Sequence, residues 1–275
     1  MNVFIAGLGL IGGSFAKAFK RHTKHTVYGY DIDTTTAEFA LAHGAIDKIA
    51  TEEDLPSADL TVICLYPEAC VDFIKRNLGK FKETGVVMDA CGIKRALYEG
   101  IGDIVNRSGG PRFVGAHPMA GREHSGFDYS GEELYEGASL IVTPENADAD
   151  AVKFVCDTAK EIGFGSCKIT DVKTHDLMIA YTSQLAHVLA CSYISDPLAE
   201  NHRGFSAGSF RDVTRVAYIN DEMWSELFLE NAEPLSKEIG VLINNLQRFK
   251  DSIDRGDKEQ LRAMMRKAKA VKEQV

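Results

Sequence analysis

Apolar positions follow two rhythms along this chain. Asn2 to Ala6 is a short apolar run of strand type that breaks at Gly7-Leu8-Gly9, and Ser14 to Arg21 then carries Phe15, Ala18 and Phe19 at helical spacing. A second strand is predicted over Thr26 to Tyr30, a second helix over the alanine-rich Thr34 to His43, and a short strand near Ala45 to Ala50. Strand-type runs follow at Leu60 to Leu65, Val86 to Met88, Phe113 to Ala116 and Ser139 to Val142, most of them separated by segments that suit helices. A helix over Asp148 to Ile162 and a strand over Cys167 to Thr170 keep the alternation. Such alternation predicts an α/β domain on a doubly wound parallel sheet.

Beyond Asp171 the rhythm lengthens. His175 to Ile194, Met223 to Phe249 and Lys258 to Lys272 show helical spacing with no strands between them. The boundary is therefore placed near Asp171, with an α/β domain over residues 1–171 and an all-helical domain over residues 172–275. The first of these helices is apolar around much of its circumference, through Leu177, Met178, Ile179, Leu185, Val188, Leu189 and Cys191. It is expected to be buried on more than one side and to pair two copies of the chain as a homodimer.

Length and charge narrow the partners. A chain of 275 residues suits two domains. The net charge is -9 with lysine and arginine scattered, so no nucleic-acid partner is expected. No apolar run comes near the roughly 20 residues that cross a bilayer, and the first residues lack the basic flank and cleavage site of a signal peptide. The reading is a cytoplasmic protein without a membrane partner. Cys64, Cys70, Cys91, Cys156, Cys167 and Cys191 lack metal-type spacing, so all six are expected as reduced thiols and no metal site is expected.

Gly7-Leu8-Gly9-Leu10-Ile11-Gly12 comes directly after a predicted strand and directly before a predicted helix, the context of a Rossmann dinucleotide fingerprint. Gly7 permits the tight turn, Gly9 lets a pyrophosphate approach the backbone, and Gly12 lets helix and strand pack closely. Asp31 ends the second strand, nineteen residues after Gly12, where a carboxylate binds ribose hydroxyls and repels a 2'-phosphate. With no Arg or Lys between Asp31 and Glu38, the cofactor is read as NAD and not NADP.

Ligands in open parallel sheets bind beyond the carboxyl ends of the strands. Three polar loops lie there: Tyr66-Pro67-Glu68, Asp89 to Lys94, and His117 to Gly121. Tyr66, Pro67 and Gly92 are expected along the cofactor. His117 is the leading candidate for a base, and Cys91 is the cysteine whose loop is polar enough for a part in the site.

The segment Gly115-Ala116-His117-Pro118-Met119-Ala120-Gly121-Arg122-Glu123-His124-Ser125-Gly126 resembles the signature loop of the prephenate dehydrogenase family. Leu134 to Gly137, Thr143-Pro144, Phe210 to Ala217, Trp224 and Phe228 to Asn231 resemble that family's next segments in the same order, so the likeness covers essentially the whole chain. It implies an NAD-dependent enzyme of tyrosine biosynthesis that oxidises prephenate or arogenate with loss of carbon dioxide. It further implies that His117 accepts the ring hydroxyl proton and that Arg215 pairs with a substrate carboxylate. His187 is placed near the substrate, Asp212 helps hold the arginine loop, and Glu123 sits near the pocket mouth. Arg122 adds positive charge there. Two positions depart from the family: many relatives carry serine at Gly92, a hydroxyl that Cys91 or water would have to replace, and some carry histidine at Gln184. A β-hydroxyacid dehydrogenase, using Lys94 or Lys173 as acid/base, and a non-catalytic NAD sensor are the competing readings.

Overall fold

The computed structural model describes residues 1–274; Val275, the last residue of the expected helical domain, lies outside the described residues. Strand β1 (Asn2–Ala6) lies inside the sheet and is apolar and buried from Val3 to Ala6, as a strand covered on both faces must be. Val3 and Ile5 pack with Phe15 and Phe19 of α1 (Leu10–His22), whereas Phe4 and Ala6 pack with Phe73 and Ile74 of α3 (Pro67–Arg76). Successive side chains thus feed two helical layers.

The remaining elements of this part are β2 (Thr26–Tyr30), α2 (Thr34–Ala42), β3 (Lys48–Ile49), β4 (Leu60–Ile63), β5 (Val86–Asp89), α4 (Arg95–Ile101), β6 (Arg112–Pro118), β7 (Ser139–Thr143), α5 (Ala149–Glu161) and β8 (Ser166–Ile169). The sheet has 8 strands in the order β3-β2-β1-β4-β5-β6-β7-β8. The chain runs outward from β1, then returns to place β4 on its other side, which opens a crevice at the carboxyl ends of β1 and β4.

The sheet departs from the expected all-parallel order at β7, which runs antiparallel to β6, with His117 opposite Ile141 and Pro118 opposite Leu140. The cause is the connection. Residues 119–138 hold only a short 3₁₀ turn at Phe127–Tyr129 and no crossover helix, and without a crossover the chain can only return antiparallel. The pairing lengthens β6, so His117 lies within a strand and not in the loop after it. A disulfide joins Cys156 on α5 to Cys167 on β8, with Cα atoms 5.6 Å apart, and corrects the expectation of six free thiols. The helix-strand packing brings the two together, which their separation along the chain does not reveal.

The helical part begins at Val172, where Asp171 caps α6 (Val172–Ile179) by accepting from the Thr174 amide at 2.8 Å. A π-helical turn at Ala180–Gln184 links α6 to α7 (Leu185–Ile194). Contrary to expectation, this 23-residue stretch is by length and composition long and apolar enough to cross a membrane, and only 22% of its apolar window is buried. Leu177, Met178, Tyr181, Leu189 and Tyr193 are exposed within the single chain. After α8 (Gly208–Thr214), the single helix expected over Met223 to Phe249 is two, α9 (Asp221–Glu230) and α10 (Ala232–Asp254), followed by α11 (Lys258–Lys272). Asn231 makes the break: it is buried and its amide donates to the Asp176 carbonyl at 2.9 Å and to Gln184 Oε1 at 2.8 Å. Apolar spacing runs through the break unaltered, but Pro234 in the first turn of α10 marks it locally and the contacts of Asn231 hold it.

Beneath the carboxyl edge of the sheet, Asp89 and Lys94 form an ion pair with no solvent exposure. Asp89 also accepts from the amides of Cys91 at 2.8 Å and Ala116 at 3.0 Å, tying β5 to β6. Removing one member of such a pair leaves the other charge stranded in a dry interior. Lys94→Met is expected to lower unfolding free energy by about 3–5 kcal/mol. Denaturant titration checks it, and a loss below about 1 kcal/mol would show that the pair is structurally unimportant.

Candidate active site

The glycine loop is closed to side chains from within. Gly7 sits at φ 87°, where a Cβ would lie 2.5 Å from the Cys64 carbonyl oxygen, and a Cβ on Gly12 would lie 1.7 Å from the Gly7 oxygen. Gly9 is different: a Cβ there meets nothing within 4 Å, so the loop faces open space at that point. The first turn of α1 has no side-chain cap and no acidic residue. Its amides and its positive dipole end are therefore left for an anion, which is what a pyrophosphate requires. Asp31 Oδ2 accepts from the Leu8 amide at 2.7 Å, and Oδ1 from the Asp33 amide at 2.9 Å, so the carboxylate braces the loop from the end of β2. These residues fit a dinucleotide.

A cleft of about 670 Å³ extends from this loop to the helical part. It brings together Gly9, Leu10, Ile11, Tyr66, Pro67, Gly92, His117, Glu123, Gln184, His187 and Arg215, all expected at the site, and adds Met223, Trp224 and Leu227 from α9. Gly7, Leu8 and Gly12 form the turn behind the lining, and Asp31 lies beyond it. Asp212 is exposed, outside the lining, and not hydrogen-bonded to the Arg215 segment, so the expected hold on the arginine loop is absent among the described contacts. Glu123 takes that place, since its carboxylate pairs directly with the exposed Arg215 guanidinium.

His117 projects from β6 into the cleft, with Nδ1 3.0 Å from His175 Nε2. His175 Nδ1 in turn lies 2.7 Å from Asp176 Oδ1. Burial, His175 and Lys94 together hold the His117 imidazole well below its ordinary pKa, so it is neutral at pH 7. A Cβ built on Gly92 would lie 3.9 Å from His117 Nε2. Cys91 is buried, its thiol against the Leu65 carbonyl and its pKa pushed up by the neighbouring Cys70 and by burial, so it gives His117 no substitute for a hydroxyl.

His187 Nδ1 donates to the Val216 carbonyl at 2.8 Å, and its ring lies 3.8 Å from that of Trp224. Gln184 is buried with both ends engaged, donating to the Leu227 carbonyl at 2.7 Å and accepting from Asn231. Arg122 lines the cleft with its guanidinium engaged by Glu133 at 2.5 Å and the Tyr129 carbonyl at 2.9 Å. Lys94 is sealed against Asp89, and Lys173 is exposed outside the cleft, so neither lysine reaches a reacting group there. Among the described residues no three His, Cys, Asp or Glu side chains converge as a metal site.

Residues 15–167 match the model of the prephenate dehydrogenase nucleotide-binding domain, and residues 171–267 match that of the prephenate dehydrogenase dimerization domain. The chain belongs to the prephenate dehydrogenase family. It is 29% identical over 270 residues to the cyclohexadienyl dehydrogenase of Zymomonas mobilis, covering 94% of this chain and 91% of that one. It is 28% identical over 277 residues to the prephenate dehydrogenase of Bacillus subtilis, covering 98% and 74%. The crystal structure of the Aquifex aeolicus prephenate dehydrogenase with hydroxyphenyl propionate and NAD+ superposes with a TM-score of 0.87 at 29% identity, covering 100% of this chain and 98% of that one.

Sequence reasoning missed His175 and Asp176. The available signal was a His-Asp pair inside an apolar helix, where buried polar groups need partners. The glycine loop generates a prediction of its own. Gly9→Ala is expected to leave thermal stability unchanged and to weaken NAD binding by at least tenfold, because the added methyl meets only the ligand. Calorimetric titration with NAD checks it; unchanged affinity would place the pyrophosphate elsewhere.

Proposed function

We propose that this protein catalyses the NAD-dependent oxidative decarboxylation of prephenate or arogenate in tyrosine biosynthesis. One observation supports it above the rest: a neutral histidine, His117, faces a cleft that has a dinucleotide-binding loop at one end and Arg215 at the other. Bound NAD supplies the hydride acceptor. Gly7 to Gly12 and Asp31 would hold it, with Tyr66, Pro67 and Gly92 beside them. Asp31 favours NAD over NADP because a 2'-phosphate would meet its carboxylate with no cation nearby.

Within that reading His117 Nε2 takes the ring hydroxyl proton as hydride leaves the carbon that bears this hydroxyl, and the ring carboxylate departs as carbon dioxide to leave an aromatic ring. Arg215 pairs with a substrate carboxylate through its planar fork and exchanges its bond to Glu123 to do so. His187 and Gln184 shape the wall beside it. Both lysines lie outside this geometry, which disfavours the β-hydroxyacid chemistry. The division at Asp171 separates the nucleotide-binding part from a helical part that pairs two copies through the exposed face of α6 and α7, in the cytoplasm.

Incubation with NAD and either substrate, followed by nicotinamide absorbance, tests the reaction; no turnover with prephenate or arogenate overturns it. His117→Asn is expected to lower kcat by about 100- to 10,000-fold. The acid limb of kcat should fall below pH 6.5, because the imidazole's pKa is lowered. Burial and the nearby Glu226 and Glu68 push the Glu230 carboxyl up to about 7, so a limb that disappears in Glu230→Gln but survives in His117→Asn would remove His117 as the base. Arg215→Ala is expected to raise KM for the substrate by at least tenfold with KM for NAD unchanged. A fall in melting temperature with both KM values unchanged would make Arg215 structural.

A further inference from the structure

The ring of His117 has one hydrogen bond among the described residues, between its Nδ1 and His175 Nε2. A side chain at position 92 would approach Nε2, the nitrogen facing the cleft, so Nδ1 depends on His175 alone. We propose that His175 and Asp176 are positioning residues that lock His117 into the tautomer whose Nε2 lone pair faces the substrate. This rests on the reading of His117 as the base.

The donor and acceptor roles can be assigned along the chain of contacts. Asp176 accepts from the backbone amides of Lys94 at 3.0 Å and Arg95 at 2.8 Å, and these bonds, with the one from His175, keep it ionised against the effect of burial. An ionised carboxylate only accepts, so His175 Nδ1 carries a hydrogen. Burial, above all, holds His175 below its ordinary pKa, so it is neutral and its Nε2 bears a lone pair. That lone pair accepts from His117 Nδ1–H, which leaves His117 Nε2 bare. When a proton arrives at Nε2, the imidazolium that forms is held through His175 to the Asp176 carboxylate. The groups around His175 are Asp176 on its own helix, His117 on β6, Asp89 at the end of β5 and Lys94 at the start of α4, with Glu230 of α9 near Asp176. Their balance keeps His175 uncharged at pH 7. If it were protonated, both its nitrogens would donate and His117 would be driven into the opposite, unreactive tautomer.

The same two residues join the domains. Asp176 belongs to α6 but caps the first amides of α4, and Asn231 at the α9–α10 break donates to its carbonyl. The base is therefore set correctly only when the helical part is docked on the sheet.

Nitrogen-15 NMR of the histidine side chains reads the tautomer in the free enzyme. The expected result is that His117 carries its hydrogen on Nδ1 in the wild type and loses that preference in His175→Phe. His175→Phe should also lose roughly 100-fold in kcat, with substrate KM and NAD affinity within twofold. His175→Gln, whose amide oxygen can still accept, should recover at least a third of the wild-type kcat. A wild-type His117 protonated on Nε2 overturns the proposal whether or not the variants fold, and so does His175→Phe with unchanged tautomer and kcat. A correct tautomer switch in a protein inactive on both substrates would sink the proposed reaction and leave the positioning role standing.

Discussion

Asp89 lies fully buried at the end of β5, and a carboxylate without solvent must find donors for both oxygens. It finds Lys94 Nζ, the Cys91 amide and the Ala116 amide, which fixes the turn after β5 and pins β6 beside it. The consequences spread from there. The turn sets Gly92 against His117, the position of Ala116 aims the side chain that follows it, and the Lys94 and Arg95 amides present the donors that Asp176 accepts. One desolvated ion pair thus organises the edge of the sheet, His117 and the contact with the helical part.

The cleft combines two electrostatic regimes. At its floor, burial and neighbouring nitrogens hold His117 and His175 neutral, and interactions there gain strength from the low dielectric. At its mouth, Arg215 and Glu123 are solvent-accessible, and an exposed ion pair of this kind holds little net energy. That contrast suits the task assigned to each. In the proposed reaction the floor keeps one proton arrangement, whereas the mouth exchanges an internal carboxylate for an incoming one.

The π-helical turn between α6 and α7 belongs to the same design. It places Ser183 and Gln184 on the cleft while Asp176, on the preceding turns, reaches the start of α4. The Gln184 amide is spent on Leu227 and Asn231, which orients α9 and brings Trp224 over His187.

The sequence by itself determined what depends on local pattern. Apolar runs and glycine spacing marked the strands, the dinucleotide loop and the division between the two rhythms, because hydrophobic period and the steric needs of a tight turn are properties of neighbouring residues. His117 was singled out by its place after a strand, whereas Arg215 and Glu123 were singled out only through a family resemblance, since each alone is an unremarkable polar residue. The tertiary structure decided the rest. The reversal of β7 follows from a connection without a helix, the break at Asn231 from contacts with residues far away in the chain, and the Cys156–Cys167 bond from the packing of α5 on β8. The pairing of His117 with His175 joins positions 58 residues apart, and no periodicity relates them. Hydrogen-bond partners of buried polar groups are chosen by geometry across elements, and that information exists only once the chain has folded.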